Sequence, residues 1–195
     1  TVRYGMPPVN IRVPQVYGLP NPAAQSAINR QILQQAKALH DQQTQAQIPG
    51  TTEMDAYYEI KTNERNVLSL IQVNGAYTPP MAHGMTFAGS LTFTAEDGKS
   101  WALSELFKPG AAYVERLSEL VAAQIRERDV PVLEPFKQIR PDQDYYLADK
   151  SIVIYFQLYE ISPYYVGFPM FPISLYAVQD LIREGSPADR LLAST

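Results

Sequence analysis

The chain has 195 residues, 46% apolar and 18% charged, with 16 basic against 20 acidic side chains and a formal charge of -4. That is long enough to bury roughly 70% of its unfolded surface without disulfides or metals. Its scattered Lys and Arg residues exclude a nucleic-acid footprint or a polybasic membrane patch, and the absence of cysteine excludes thiol catalysis, thiolate metal sites and disulfides.

No run of 18 apolar residues is present, and the chain opens on Thr1 without a charged-then-apolar leader, so it is expected to be a fragment or processed chain whose anchor or signal has been removed. In "VNIRVPQVYGLP", Val9, Ile11 and Val13 alternate with polar neighbours and Pro14 interrupts, which predicts an edge strand. Asn21 and Pro22 form an N-cap and first-turn pair. Ile28, Ile32, Ala36 and Leu39 then recur at helical spacing in a Gln-rich segment ending near Ile48. This predicts a long helix with one narrow buried stripe.

Tyr58 and Ile60 begin a strand, "TNERN" turns, and "VLSLIQV" returns as a strand apolar on both faces. A loop from Asn74 to Gly84, "NGAYTPPMAHG", leads into a period-2 stretch. There Met85, Phe87, Gly89, Leu91 and Phe93 oppose Thr86, Ala88, Ser90, Thr92 and Thr94, giving one core face and one wet or lightly covered face. Asp97-Gly98 supplies a tight turn, which predicts four antiparallel strands in sequence.

Tyr113, Leu117, Leu120, Val121 and Ile125 mark a second amphipathic helix, followed by an irregular, proline-punctuated stretch from Val130 to Gln143. "DYYLADKSIVIYFQLYEI" reads as a short strand, a turn and a long strand. After it, Ser174 caps a last helix with Leu175, Val178 and Ile182 inward and Gly185 as its stop. The predicted fold class is α+β: a mainly antiparallel sheet with two long helices and a C-terminal helix packed on it. The chain is expected to be a single domain over 1–195. Its first half, about 1–108, holds strand, helix and hairpins, and its second half, about 109–185, holds helix, strands and helix; a loose tail follows from 186 to 195.

Chemistry-bearing motifs are sparse. His40 and His83 are the only histidines, and neither has a neighbour at metal-ligand spacing; a zinc hydrolase would need both plus a carboxylate. No serine sits in a Gly-x-Ser-x-Gly elbow. The pairs Glu53/Asp55, Glu96/Asp97 and Asp142/Asp144 fall at predicted turns and read as solvated turn or cap residues rather than paired acid and base. There is no phosphate loop and no calcium loop, so no catalytic residue, cofactor or metal is expected, and the chain is read as a non-enzyme.

Aromatic density is the remaining signal, because eight of the 13 Tyr, 7 Phe and 1 Trp residues fall between Tyr155 and Tyr176. In "YEISPYYVGFPMFPI", Tyr159 and Ile161 are expected to finish the strand, and Phe168, Met170, Phe171 and Ile173 to plug the core. Ser162 to Gly167 is expected to form a turn, held by Pro163, that displays at least one tyrosine. Together with the loop from Asn74 to Gly84, stiffened by Pro79 and Pro80, this gives a two-loop contact surface. Its expected partner-binding residues are Pro163, Tyr164 and Tyr165 first, with His83, Pro79 and Pro80 beside them.

Three pieces carry a family resemblance: "AHG" leading to "DGKSWALSELF", the helix "YVERLSELVAAQI", and "YYLADKSIVIYFQLYEISPYYVGFPMFPISLYAVQDLI". In this order the chain resembles the extracytoplasmic domain of RsiV-type anti-sigma factors, and also the non-catalytic N-terminal region of PdaC-type peptidoglycan deacetylases. Family members tend to carry Gly-Gly before Ala-His-Gly, where this chain has Pro80 and Met81. The resemblance implies a module outside the membrane of a Gram-positive-type bacterium that binds a protein partner, in the anti-sigma members a lysozyme. The alternative is a glycan-binding accessory domain contacting peptidoglycan through Tyr164, Tyr165 or Phe168. Any membrane attachment would run through a segment absent from this chain.

Overall fold

Residues 1–5 and 8–192 are described by the computed structural model, and they form the α+β fold that the sequence pattern predicts. A five-stranded sheet contains β1 (Val2–Tyr4), β2 (Val9–Val13), β3 (Glu53–Glu64), β4 (Val67–Tyr77) and β5 (Met85–Thr94), in that spatial order. A three-stranded antiparallel sheet contains β6 (Tyr145–Ala148), β7 (Ser151–Tyr155) and β8 (Met170–Ser174). The helices are α1 (Pro22–Gln45), α2 (Tyr113–Glu127) and α3 (Pro187–Leu192).

Three apolar clusters join four layers. Ile28, Ile32 and Ala36 of α1 pack on Leu68, Leu70 and Phe93. On the opposite face of the large sheet, Ile71, Val73 and Ala88 meet Tyr146, Val153 and Tyr155 of the small sheet. Beyond the small sheet, Leu147, Ile152, Ile154, Phe171 and Ile173 pack on Leu117, Val121 and Ile125 of α2. β4 is apolar on both faces because α1 covers one face and the second sheet the other.

Local chemistry sets the element boundaries. The Asn21 side chain accepts from the Ala23 and Ala24 amides at 3.0 and 3.2 Å, and Pro22 occupies the first turn, where its missing N–H costs nothing. At the other end of α1, buried Gln43 donates to the carbonyls of Asn74 and Met85 at 3.2 and 2.6 Å, clamping the helix to two strands. Gly98 has φ +73, and a Cβ there would lie 2.8 Å from the Ala24 backbone, so only glycine suits that turn.

The structure departs from the sequence expectations in several places. β2 is not an edge strand: β1 pairs antiparallel on one side, and β3 pairs parallel on the other through the α1 crossover. The second face of β5 is covered and not wet: Ala88 packs with Tyr146, Val153 and Tyr155 of the small sheet, Ser90 accepts from the Tyr155 hydroxyl at 2.9 Å, and Thr92 is buried beside Ser69 of β4. Asn74 to Tyr77 belong to β4, so the loop shrinks to residues 78–84. β7 stops at Tyr155, since Glu160 N–H closes a turn on the Gln157 carbonyl at 3.1 Å and Tyr159 takes φ +63, which no strand tolerates.

The helix expected from Ser174 is a single 3₁₀ turn, Leu175–Val178. Backbone bonds from Lys108 to Leu181 and from Arg183 to Leu106, both 2.9 Å, pull the next residues out of a helical path. The expected loose tail from 186 to 195 instead forms α3 over residues 187–192, because Ala188 and Leu191 bury in the α2-side core. Residues 193–195 lie outside the described residues.

Candidate functional site

Two loops converge beside the β5 end of the large sheet. In the first, buried Thr78 bonds Thr52 at 2.7 Å and donates to Gln47 at 2.9 Å, and the Met81 amide closes a turn on the Thr78 carbonyl. This anchors the loop at its root and leaves Pro79, Pro80 and His83 exposed. In the second loop, Pro163 (φ −58, ψ 154) starts the 3₁₀ turn Tyr164–Val166, and Gly167 at φ +78 reverses the chain toward β8.

Three aromatic rings link the loops. His83 stacks on Tyr164 with centroids 4.1 Å apart, and Tyr159 lies 5.7 Å from Tyr164. Tyr164 donates its hydroxyl to the Gly84 carbonyl at 2.9 Å. The same carbonyl lies 2.8 Å from His83 Nδ1 and can only accept, so Nδ1–H donates to it, and Nε2 lies within hydrogen-bond distance, 3.2 Å, of the Tyr159 hydroxyl. Tyr165, 77% exposed, stands free of this network and projects from the turn, while Tyr159 is 48% exposed. The result is an aromatic, pre-set surface with polar tips.

A polar knot holds the second loop against the sheet edge. The Gln157 carboxamide accepts from the Ala88 amide at 3.1 Å and donates to the Ala88 carbonyl at 2.8 Å, standing in for a sixth strand at that point of β5. The same amide nitrogen reaches Asp144 at 3.0 Å, and the Gln157 backbone N–H donates to Glu160 at 2.7 Å. Glu160 also pairs with Arg140, which stands 3.9 Å from Asp144. Burial raises the Asp144 carboxyl above its usual range, only partly offset by the Gln157 bond and the Arg140 charge.

Of the residues singled out from sequence, His83 and Tyr164 are in direct contact, and Pro163 and Tyr165 sit on the same turn. Pro79 and Pro80 are exposed on the first loop, and the bonds joining the two loops run instead through His83 and Gly84. His40 is on α1, paired with Asp41 at 3.2 Å. Glu53 and Asp55 lie on β3, not in a turn. Tyr159 and Gln157 were expected on a strand; a Glu three residues after Gln, able to cap its amide, was the available signal for a turn. Among the described residues, no group of three or more acidic or histidine side chains is placed to hold a metal, and no helix is long and apolar enough to cross a membrane.

Residues 104–176 match the family model described as "Protein of unknown function (DUF3298)". The chain is 27% identical over 189 residues to the anti-sigma-V factor RsiV of Bacillus subtilis (strain 168), a match covering 89% of this chain and 65% of that relative. The chain thus spans a little under two thirds of the length of that relative. Together these bear out the resemblance to an RsiV-type extracytoplasmic domain. Two solved structures share the fold. A DUF3298 family member from Bacteroides fragilis superposes with a TM-score of 0.61 at 16% identity, covering 89% of this chain and 74% of the other. A DUF3298 family protein from Pseudomonas aeruginosa gives 0.57 at 14% identity, covering 81% and 72%.

Proposed function

We propose that this chain, similar to a regulatory anti-sigma factor and resembling the RsiV-type extracytoplasmic domain, is a non-catalytic extracytoplasmic binding module that presents its two-loop aromatic rim to a protein partner, with a lysozyme as the first partner to test. The observation that carries this reading is the contrast within the rim: Tyr165 is 77% exposed, yet it stands on a turn whose neighbours His83, Tyr159 and Tyr164 are locked together by stacking and hydrogen bonds. A large side chain presented on a rigid support loses little entropy on binding. Pro163, Tyr164 and Tyr165 form the centre of the contact, and His83, Pro79 and Pro80 its flank.

The rim favours a protein over a glycan stacked on the same tyrosines. Tyr165 is 77% exposed on its turn, and one face of Tyr164 is already occupied by His83 and so closed to a sugar. Calorimetric titration with a lysozyme, and separately with soluble peptidoglycan fragments, tests the assignment. Saturable binding of the lysozyme supports the protein-sensing reading. Binding of the fragments alone, lost in Tyr165→Ala, would replace it with the glycan reading, and binding of neither would overturn both.

A further inference from the structure

We infer that a groove on the large sheet, separate from the exposed tyrosine, binds a neutral oligosaccharide. The small sheet covers the large one only in part. Its β6 strand is bonded at Thr62 and Ser69, where the Thr62 hydroxyl donates to the Leu147 carbonyl and the Leu147 amide to the Ser69 hydroxyl, both at 2.9 Å. The opposite ends of β2 to β5 stay uncovered on the same face, leaving an open groove of about 530 Å³. That is within the roughly 300–1,000 Å³ range of small-molecule sites.

The floor is one cross-strand row: Asn10 opposite Asp55, Asp55 opposite Gly75, Gly75 opposite Thr86. Gly75 is not among the positive-φ residues, so strand geometry does not demand glycine, and glycine weakens a strand interior. What glycine provides here is space: a Cβ would come within 3.3 Å of the Thr86 hydroxyl, and anything larger would rise from the floor. A strand glycine of this kind marks close approach by another group.

The lining selects the ligand class. Asp55 accepts from Asn10 at 2.6 Å and Arg12 at 2.8 Å, so its carboxylate is fixed in place with its charge balanced. The lining contains Glu53 and Asp55 but no Lys, Arg or His, which disfavours an anion. Pairing with Arg12 balances Asp55 and leaves Glu53, exposed at the end of β3, as the remaining carboxylate of the lining, too few to hold a cation on their own. The main-chain groups of Asp55 and Gly75 lie between paired strands, and along the β5 edge the Gly84 carbonyl is taken by Tyr164 and both main-chain groups of Ala88 by Gln157, so an extended peptide finds no continuous free ladder here. Fixed carboxylate and amide acceptors, the Thr86 hydroxyl, and the rings of Tyr77 and Tyr164 at the wall suit a ligand with its own hydroxyls and apolar C–H faces.

Titration of chitotetraose and cellotetraose, followed by ¹⁵N chemical-shift perturbation, tests the inference. Expected is saturable binding of at least one, with shifts at Gly75 and Thr86, weakened at least tenfold in Gly75→Val and severalfold in Thr86→Val, an isosteric change that holds the test open if the valine at 75 does not fold. Tyr165→Ala leaves this binding unchanged, so its outcome is separable from that of the tyrosine rim. No binding of either sugar at millimolar concentration, undiminished binding in both groove variants, or loss in Tyr165→Ala instead would overturn it.

Discussion

Tyr155 and Tyr165 belong to one short segment and do opposite things. Tyr155 is fully buried between the two sheets, where its hydroxyl donates to Ser90 at 2.9 Å and burial drives its phenol pKa far upward. Tyr165 is largely exposed on a turn whose geometry is set by its neighbours. At the sheet junction, aromatic rings contribute burial and their polar atoms are matched one for one. At the rim, the hydrogen bonds of Tyr159 and Tyr164 fix orientation and the Tyr165 ring is left uncovered. Hydrophobicity alone does not separate the two roles; where the hydroxyl groups bond does.

Substitution can sharpen this contrast. The largest effect is expected for Tyr155→Ala, which empties a buried aromatic site and should lower unfolding free energy by about 3–5 kcal/mol in urea denaturation; a cost under about 1 kcal/mol would mean the junction is not the core described here. Gln157→Leu comes next. It removes both partners of Ala88 at the sheet edge, at a cost of about 1–3 kcal/mol, and faster amide exchange should appear at Ala88 and in the turn around Tyr159. Unchanged exchange there would show that the carboxamide does not hold the loop.

Tyr165→Ala should leave stability within about 0.5 kcal/mol while weakening partner binding at least tenfold, or about 1.4 kcal/mol. The smallest effect is at Asp144. Its folded-state pKa is raised, so the folded protein holds that proton more tightly than the unfolded chain, and stability is lost as pH rises from the ordinary carboxylate range through the raised value. Asp144→Asn should remove that decline: the melting-temperature difference between variant and wild type grows in favour of the variant across this window and is flat above it. A difference that shrinks as pH rises would reverse the sign assigned to the burial.

Much of the fold was legible in the sequence because burial there follows a single period. The stripe Ile28, Ile32, Ala36 and Leu39 is the buried face of α1, and β4 reads as apolar on both faces because both are covered. The misreadings come from residues whose local preference is overridden by pairing. Asn74-Gly75 reads as a turn but lies in β4, and the alternation through Tyr159 continues past a strand that a left-handed residue has already ended. The rim was half legible: aromatic density and Pro163 pointed to the turn, and His83 to the facing loop. Its joining through Gly84, the part played by Tyr159, and the anchoring by Gln157 depend on contacts between distant segments that no local pattern encodes. The uncovered row Asn10, Asp55, Gly75 and Thr86 was invisible for the same reason, since it requires the strand order and the extent of the second sheet.

The most direct test of the central claim, that the tyrosine rim is a contact surface and not core, is calorimetric titration of a lysozyme into the wild-type chain and into Tyr165→Ala, with thermal melts of both. The account predicts saturable binding to the wild type, at least tenfold weaker binding to the variant, and superimposable melts. A variant that melts much lower, or one that binds as tightly as wild type, would contradict it.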